Sequence, residues 1–265
     1  ENAIPLYALE SKDPVRCFDL IAFTLGYEMC YSNVLNMLEL AGVPLLASER
    51  TGLENIVFAG GVCAVNPEPL ADFIDFFSLG EGEESTVEIV ECYRTAKKEH
   101  WSKARFLKAV SAIEGVYVPS FYEHSYNPDG TIAAITPLEG APQTVRKRIV
   151  QNMDTAYWPE KQIVPSTEIV HDRSNLEVFR GCIRGCRFCQ AGFCYRPVRS
   201  KSADALYAQA VQSLEDSGHS EITMASLSTS DYKCPSWRTS CWTTASRARS
   251  TSPSRRSVRT ISRAS

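Results

Sequence analysis

The sequence predicts an α/β protein in which strands and helices alternate and the parallel sheets carry covering helices. Short apolar runs of strand length alternate with stretches of helical periodicity, and two of these runs are followed by a pair of glycines, Gly60-Gly61 and Gly80-Glu-Gly82. A further run, at residues 176–179, is followed directly by three closely spaced cysteines. In parallel α/β folds, functional loops follow the carboxyl ends of the strands. The cysteine loop is therefore the predicted site.

The first block covers residues 1–104 and is predicted to form half of a Rossmann-like domain. Apolar runs at residues 18–25, 56–59 and 76–79 are its predicted strands. Ser32 is predicted to cap a helix that continues through residue 40 and ends at Gly42. A short helix is expected over residues 67–73 and a longer one from about residue 85 to residue 98.

Residues 105–170 are less regular and predict a hairpin followed by a linker. The segment Tyr126-Asn-Pro-Asp-Gly130 is typical of a turn, since proline, aspartate and glycine each favour the backbone angles of a turn. It lies between two runs with β propensity, residues 116–122 and 131–135. We therefore expect these two runs to pair with each other.

The third block, residues 171–233, predicts one βαβ unit. Residues 176–179 are its first strand, and the cysteine loop leaves the carboxyl end of that strand. Ser202 is expected to cap a helix that ends at Gly218. Residues 221–225 are the second strand.

The cysteine loop contains Cys182, Cys186 and Cys189 in the spacing C-x3-C-x2-C. A structural zinc ion takes four ligands, and an ordinary iron–sulfur cluster is held by four cysteines. A set of three therefore favours a cluster with one iron left open. Two alternatives remain at this point. One is a structural zinc site with Cys194 as the fourth ligand, and the other is an iron–sulfur electron carrier that has no substrate.

Composition is that of an ordinary globular protein, with 44% hydrophobic and 22% charged residues and a net charge of −3. No apolar run is long enough to span a bilayer, and no signal segment opens the chain. From this we expect a cytoplasmic protein without a membrane partner. Ten cysteines in such a chain favour metal binding over a disulfide framework.

The chain changes composition abruptly near residue 234. Residues 235–265 include nine serines, seven arginines and five threonines, with no acidic residue. One interpretation is a disordered basic tail. The interpretation favoured here is translation out of frame, since the adjacent frame can encode a tract of the type Leu-Ser-Leu-Pro-Ser-Leu-Arg-Ala-Asp-Asn-Phe. No function is assigned to residues 234–265.

Three tracts carry a family resemblance: residues 58–75, residues 170–199 and residues 226–232. The cysteine motif, with an aromatic residue just before its third cysteine, resembles the signature of the radical S-adenosylmethionine (SAM) superfamily. The three tracts together resemble a bacterial family that joins a cobalamin-binding-type domain to a radical SAM barrel. The resemblance implies a partial, Rossmann-like cobalamin-binding-type domain over residues 1–104, followed by the start of a partial TIM-type barrel.

The resemblance also implies the cofactors and their ligands. Cys182, Cys186 and Cys189 would hold a four-iron, four-sulfur cluster whose open iron binds SAM. An electron from a reductase or a flavodoxin-type donor would cleave SAM to methionine and a 5′-deoxyadenosyl radical. Phe188 would lie against the adenine, and Ser226 and Ser228 occupy the place where the superfamily often has a glycine-rich stretch that contacts the methionine amino group. The substrate is left open, with RNA entering only by analogy.

Cobalamin is the further cofactor that the resemblance implies. The residues that resemble the loops approaching the corrin and its nucleotide tail are Gly60, Gly61, Gly80, Glu81 and Gly82. The usual Asp-x-His-x-x-Gly motif, whose histidine ligates cobalt, is absent from the sequence. By the resemblance, the chain is expected to be a fragment of a radical SAM enzyme, shortened at its start, aberrant at its end and inactive by itself.

Overall fold

A computed structural model describes residues 4–167, 169–232 and 259–261. The chain forms two compact units, Glu1–Ile149 and Val150–Ser265. The predicted α/β class is confirmed, since both units contain parallel strands with helices between them. The expected TIM-type barrel is not formed by the described residues and stays a prediction. Among those residues no helix is both long and apolar enough to cross a bilayer.

The first unit is built on a four-stranded sheet in the order β1-β2-β3-β4. The strands β1 (Leu20–Thr24), β2 (Ile56–Gly60) and β3 (Phe76–Ser78) are parallel, and β4 (Val116–Tyr117) is antiparallel to β3. Three helices accompany this sheet: α1 (Tyr31–Ala41), α2 (Gly82–Lys98) and α3 (Lys103–Val110). The predicted helix at residues 67–73 is only a 3-10 turn, Glu68–Leu70.

The two faces of this sheet have separate hydrophobic cores. Alternate residues of a strand point to opposite faces, and Val57 packs in one cluster of buried residues while Ile56 packs in the other. The first cluster includes buried residues of α1, and the second includes those of α2 and α3. Strand β2 therefore has helices on both faces of the sheet, which agrees with its continuous apolar sequence.

The hairpin differs from its predicted pairing. Residues 116–122 were expected to pair with residues 131–135, but β4 joins the edge of the main sheet instead. The hairpin consists of β5 (Tyr122–Tyr126) and β6 (Ile132–Pro137), joined by the predicted turn. Val116 and Val118 are buried against the second hydrophobic cluster, which explains why this part of the run belongs to the sheet. Helix α3 also crosses the predicted end of the first block, at residue 104, since it runs from Lys103 to Val110.

The second unit contains the predicted βαβ arrangement. The strands β7 (Ser174–Glu177) and β10 (Glu221–Ala225) are parallel neighbours, and helix α5 (Ala203–Ser217) lies between them in sequence. Leu176, Leu206 and Ile222 belong to one buried cluster that joins the helix to both strands. The short strands β8 (Phe179–Arg180) and β9 (Arg199–Ser200) and the helix α4 (Ala191–Cys194) belong to the cysteine region.

The predicted tail lies outside the described residues, apart from Arg259–Ile261. These three residues form the strand β11, which pairs in parallel with β10.

Candidate functional site

The cysteine loop is anchored at both ends. Strand β8 pairs with β9 in antiparallel register, so Phe179 faces Ser200 and Arg180 faces Arg199. The Lys201 backbone N–H donates to the Val178 carbonyl at 3.0 Å. These bonds close residues 181–198 into one loop between β8 and β9, beyond the carboxyl end of β7. All three predicted ligand cysteines, and Cys194, lie within it.

Gly181 allows the two ends of this loop to approach each other. Its φ is +93°, which side chains rarely adopt. A Cβ at this position would lie 2.8 Å from the Pro197 carbonyl oxygen and 2.9 Å from that of Tyr195. The glycine immediately before Cys182 is therefore needed for the closure of the loop.

None of the four cysteines of the loop forms a disulfide with another described residue. Cys186 is exposed, and Cys182, Cys189 and Cys194 are partly buried. Two local contacts shape the chain between them: the Cys189 N–H donates to the Cys186 carbonyl at 3.1 Å, and the Arg184 N–H approaches the Cys182 sulfur at 3.5 Å. The thiols are thus held on one short loop whose backbone is locally ordered.

The described residues contain no group of three or more His, Cys, Asp or Glu side chains placed to hold one metal ion. The loop therefore carries the three predicted thiols without drawing them together around a common centre. As a donor set, three free thiols on one loop still match a cluster that leaves one iron open, because thiolates are the ligands that iron–sulfur clusters use. The assignment of Cys182, Cys186 and Cys189 as ligands remains a prediction.

Phe188 projects from the loop into solvent, with 93% of its surface exposed. An exposed aromatic ring beside a cysteine motif is available for stacking on a planar ligand. Its predicted contact with adenine remains a prediction.

Ser226 and Ser228 are both engaged within the turn that follows β10. The Ser226 and Thr229 hydroxyls lie 2.9 Å apart and share a hydrogen bond. The Ser228 hydroxyl donates to Asp231 Oδ2 at 2.7 Å. The structure thus brings these serines to the carboxyl edge of the sheet, as predicted, because β7 and β10 are parallel neighbours.

An ion pair joins this turn to the cysteine loop, and sequence analysis did not predict it. Arg184, between the first two cysteines, donates from Nε to Asp231 Oδ2 at 2.9 Å, and its Nη2 donates to Asp231 Oδ1. The next residue, Tyr232, stacks on Phe179 with ring centroids 6.4 Å apart and donates to the Lys201 carbonyl at 2.8 Å. The sequence indicates this pair only through the opposite charges of Arg184 and Asp231, which lie in the tracts at residues 170–199 and 226–232.

Gly60 is the last residue of β2, Gly61 follows it, and both lie beside Leu25, just after the end of β1. Gly61 has a φ of +95°, and a Cβ there would lie 2.8 Å from the Leu25 carbonyl oxygen. At Gly60 the nearest atom to a Cβ would be the Ser78 carbonyl oxygen, at 3.3 Å. The backbone of the protein itself explains the glycine at position 61.

Gly80, Glu81 and Gly82 follow β3 and lead into α2. Gly80 has a φ of +106°, and a Cβ there would lie 2.1 Å from the Arg148 carbonyl oxygen. The Glu81 N–H donates to that carbonyl at 2.9 Å, and the Arg148 N–H donates to the Leu79 carbonyl at 2.8 Å. Gly82 is the first residue of α2.

Two of the predicted cobalamin-loop glycines therefore lie against protein backbone. At Gly61 and Gly80, the space that the absent side chain leaves is taken by the chain's own backbone. In addition, Arg148 forms ion pairs with Glu84 and Glu88 of α2, at 2.7 and 2.8 Å. The chain's own packing thus accounts for the glycines at positions 61 and 80, and cobalamin binding by these loops stays a prediction.

A second polar cluster in the first unit surrounds Glu68. The Tyr117 hydroxyl donates to Glu68 Oε1, and His124 Nε2 lies 3.3 Å from Glu68 Oε2. Burial, together with the hydrogen bond to Glu68, raises the pKa of the Tyr117 hydroxyl well above its ordinary value. The hydroxyl therefore stays protonated at neutral pH and acts as a fixed donor that ties β4 to the turn after β2.

Residues 1–119 match the family model described as "Radical SAM proteins, N-terminal". The matched region covers the sheet of the first unit and lies entirely outside the cysteine motif. This match agrees with the resemblance to radical SAM proteins that the cysteine motif carries, and it lies in a separate part of the sequence.

The chain is also similar to several longer proteins. It is 28% identical over 236 residues to an uncharacterized protein of Methanocaldococcus jannaschii. The aligned region covers 87% of this chain and 43% of that protein. Two structures of the radical SAM methyltransferase TsrM from Kitasatospora setae cover 89% of the chain. One has tryptophan and a SAM analogue bound, with 12% identity and a TM-score of 0.44 over 41% of its length. The other has cobalamin and an iron–sulfur cluster bound, with 13% identity and a TM-score of 0.48 over 42% of its length. The chain thus spans less than half of each relative.

Proposed function

We propose that this chain, whose first 119 residues match the N-terminal region of radical SAM proteins, is part of a radical SAM enzyme. In this proposal Cys182, Cys186 and Cys189 hold a four-iron, four-sulfur cluster, and SAM binds at its open iron. The observation that carries the proposal is the C-x3-C-x2-C motif on an anchored loop at the carboxyl end of β7.

The position of the loop supports this chemistry. Parallel α/β units build their sites at the carboxyl ends of strands, and the loop after β7 is beside the turn after β10. Three protein ligands leave one iron without a protein donor, so a small molecule with amino and carboxylate groups can bind it. When bound, the cluster supplies the electron that cleaves the SAM sulfonium to methionine and a 5′-deoxyadenosyl radical, and an external reductase or flavodoxin-type donor replaces it.

The chain's own residues provide the frame for this site. Gly181 lets the loop close, and the β8–β9 pairing fixes its ends. Phe188 is free to stack on the adenine of SAM, because its ring is exposed. Ser226 and Ser228 are engaged with Thr229 and Asp231, so any contact of theirs with the methionine group is made by hydroxyls that already have hydrogen-bond partners.

The proposed function takes no step through cobalamin. At Gly61 and Gly80, the space beside the glycine is taken by backbone atoms of Leu25 and Arg148. The substrate of the whole enzyme is not assigned, because the chain spans less than half of its relatives. A cytoplasmic location is part of the proposal and fits an oxygen-sensitive cluster.

Replacing each cysteine of the motif tests the proposal directly. The full 265-residue chain would be reconstituted with iron and sulfide without oxygen, and its iron and acid-labile sulfide would be measured. Cys182→Ser, Cys186→Ser and Cys189→Ser are each expected to lose most of the bound iron and sulfide. Cys194→Ser is the matched control on the same loop and is expected to keep both.

Other outcomes identify the alternatives. Zinc without labile sulfide, lost in Cys194→Ser as well, would replace the proposal with a structural zinc site. A cluster whose electron paramagnetic resonance spectrum does not change on addition of SAM would replace it with an electron carrier.

A further inference from the structure

We infer that Asp231 and Arg184 are positioning residues, which set the place of the first two cluster cysteines from the turn after β10. This inference rests on the proposed function, since it concerns the same loop. It assigns a role to the tract at residues 226–232, which carries part of the family resemblance and has no role in the proposed chemistry beyond the two serines.

Hydrogen bonds within the turn after β10 set the direction of the Asp231 carboxylate. Residues Thr229–Asp231 form a 3-10 turn that follows the end of β10 after three intervening residues, and the Asp231 N–H donates to the Ser228 carbonyl at 2.9 Å. The Ser228 hydroxyl donates to Asp231 Oδ2, and Ser226 bonds to Thr229. Short polar side chains thus fold the turn on itself, with the result that the Asp231 carboxylate has a defined direction.

The Asp231 carboxylate contacts the cysteine loop through Arg184. Arg184 reaches both oxygens of Asp231 with two different nitrogens. Such a two-pronged pair fixes the guanidinium plane as well as its distance, which a single point charge cannot do. The Asp231 side chain is 15% exposed, so this pair is partly shielded from water at the aspartate end.

Arg184 lies midway between the first two cysteines of the motif. It lies two residues after Cys182 and two residues before Cys186. Its own N–H approaches the Cys182 sulfur at 3.5 Å. Holding Arg184 therefore restricts the backbone on both sides, and hence the positions of the two thiols.

Tyr232 anchors the turn to the stem of the cysteine loop. Tyr232 stacks on Phe179 at an interplanar angle of 9° and donates to the Lys201 carbonyl. Phe179 belongs to β8 and Lys201 follows β9, so Tyr232 contacts both sides of the loop's stem. The tract thus contacts the stem of the loop through Tyr232, and it contacts the segment between the first two cysteines through Asp231.

The loop offers a matched control for the charge of Arg184. Arg187 is also exposed and lies next to Cys186, but it forms no hydrogen bond or ion pair with any described residue. Arg187→Gln removes the same charge from the same loop without breaking a contact seen in the structure. Any effect specific to Arg184→Gln then reports on the ion pair.

The experiment compares Arg184→Gln, Arg184→Lys and Asp231→Asn with Arg187→Gln, all in the full chain after anaerobic reconstitution. Circular dichroism first establishes that each variant keeps the wild-type secondary structure. Iron and labile sulfide retained during a timed chelator challenge are then measured, followed by the electron paramagnetic resonance spectrum of the reduced cluster. We expect the three pair variants to lose their cluster at least about threefold faster than wild type, with an altered spectrum, and Arg187→Gln to match wild type.

The double variant Arg184→Gln/Asp231→Asn separates coupling from two independent effects. Residues that act through one contact are non-additive, so the double variant is expected to lose its cluster no faster than the worse single variant. Equal chelator resistance in wild type and the pair variants would overturn the inference, as would additive effects or an equal loss in Arg187→Gln. A wild-type chain without labile sulfide would instead overturn the proposed function.

Discussion

At the residue scale, the glycines at the strand ends act on the chain's own packing. Their positions after β2 and β3 resemble ligand-binding loops, because glycine is needed wherever backbone comes close to another group. In this structure the other group at Gly61 and Gly80 is protein backbone. A sequence motif indicates that a close approach occurs, and only the folded chain shows what approaches.

Gly80→Ala is expected to lower the free energy of unfolding of the first unit by more than about 2 kcal/mol. The positive φ alone costs a side chain about 1–2 kcal/mol, and the added Cβ would overlap the Arg148 carbonyl. Denaturant unfolding of the purified chain measures the change.

Gly130→Ala is the control for this substitution. Gly130 also has a positive φ, of +82°, but no atom lies within 4 Å of the position that a Cβ would occupy there. Its substitution is expected to cost only the conformational part, about 1 kcal/mol. Equal losses for the two variants would contradict the close approach at Arg148.

At the element scale, the two predicted helix caps had different outcomes. Ser202 caps α5, since its hydroxyl accepts the Ala205 N–H at 3.2 Å, and Gly218 ends the helix in a left-handed conformation. The prediction for Ser32 is wrong, because α1 begins at Tyr31 after the 3-10 turn Glu28–Cys30. A preceding turn supplies the helix start there, so no side-chain cap is present at its N-terminus.

Ser202→Ala is therefore expected to destabilise the second unit by about 1 kcal/mol, the usual loss when an N-cap hydroxyl is removed. Ser32→Ala is expected to be neutral or slightly stabilising, because Ser32 lies inside the exposed first turn of α1, where alanine has the higher helix propensity. Thermal or denaturant unfolding of both variants measures the difference. A comparable loss in Ser32→Ala would show that the hydroxyl of Ser32 does contribute to the helix start.

At the scale of the whole molecule, buried hydroxyls make the stability of the first unit sensitive to alkaline pH. Burial raises the pKa of Tyr93, and the nearby Asp19 charge adds to this effect; burial and Glu68 do the same for Tyr117. Both tyrosines therefore stay protonated in the folded state at a pH where they ionise in the unfolded chain. Their contribution is fully present below pH 10 and is lost as pH rises above that value.

Each such tyrosine is expected to lower stability by up to about 1.4 kcal/mol per pH unit above its unfolded-state pKa. Tyr93→Phe should reduce this slope, although it also removes the hydrogen bond to the Leu53 carbonyl and so lowers stability at neutral pH. Tyr126→Phe is the control, since Tyr126 is 64% exposed and should leave the slope unchanged. Unfolding free energies measured between about pH 8 and pH 11 test this, and equal slopes for wild type and Tyr93→Phe would contradict it.

Local sequence patterns were sufficient to predict the positions of several elements. The strands β2, β3 and β10 and the helix α5 lie close to their predicted positions, because each is a compact apolar run with a clear boundary. The pairing of β4 could not be predicted in this way. Its run has the same β propensity whether it joins a hairpin or a sheet edge, and burial against α3 decides between them.

The amino-acid sequence by itself determined the α/β class, the βαβ unit, the spacing of the three cysteines and the resemblance to radical SAM proteins. These depend on neighbouring residues, whose periodicity and spacing are visible in one dimension. Only the tertiary structure decided that Arg184 binds Asp231, which is 47 residues away, and that buried Asp75 binds Arg50 and Lys103. Contacts of this kind depend on which side chains the folded backbone brings within about 3 Å, and many oppositely charged pairs in the sequence are equally compatible with them.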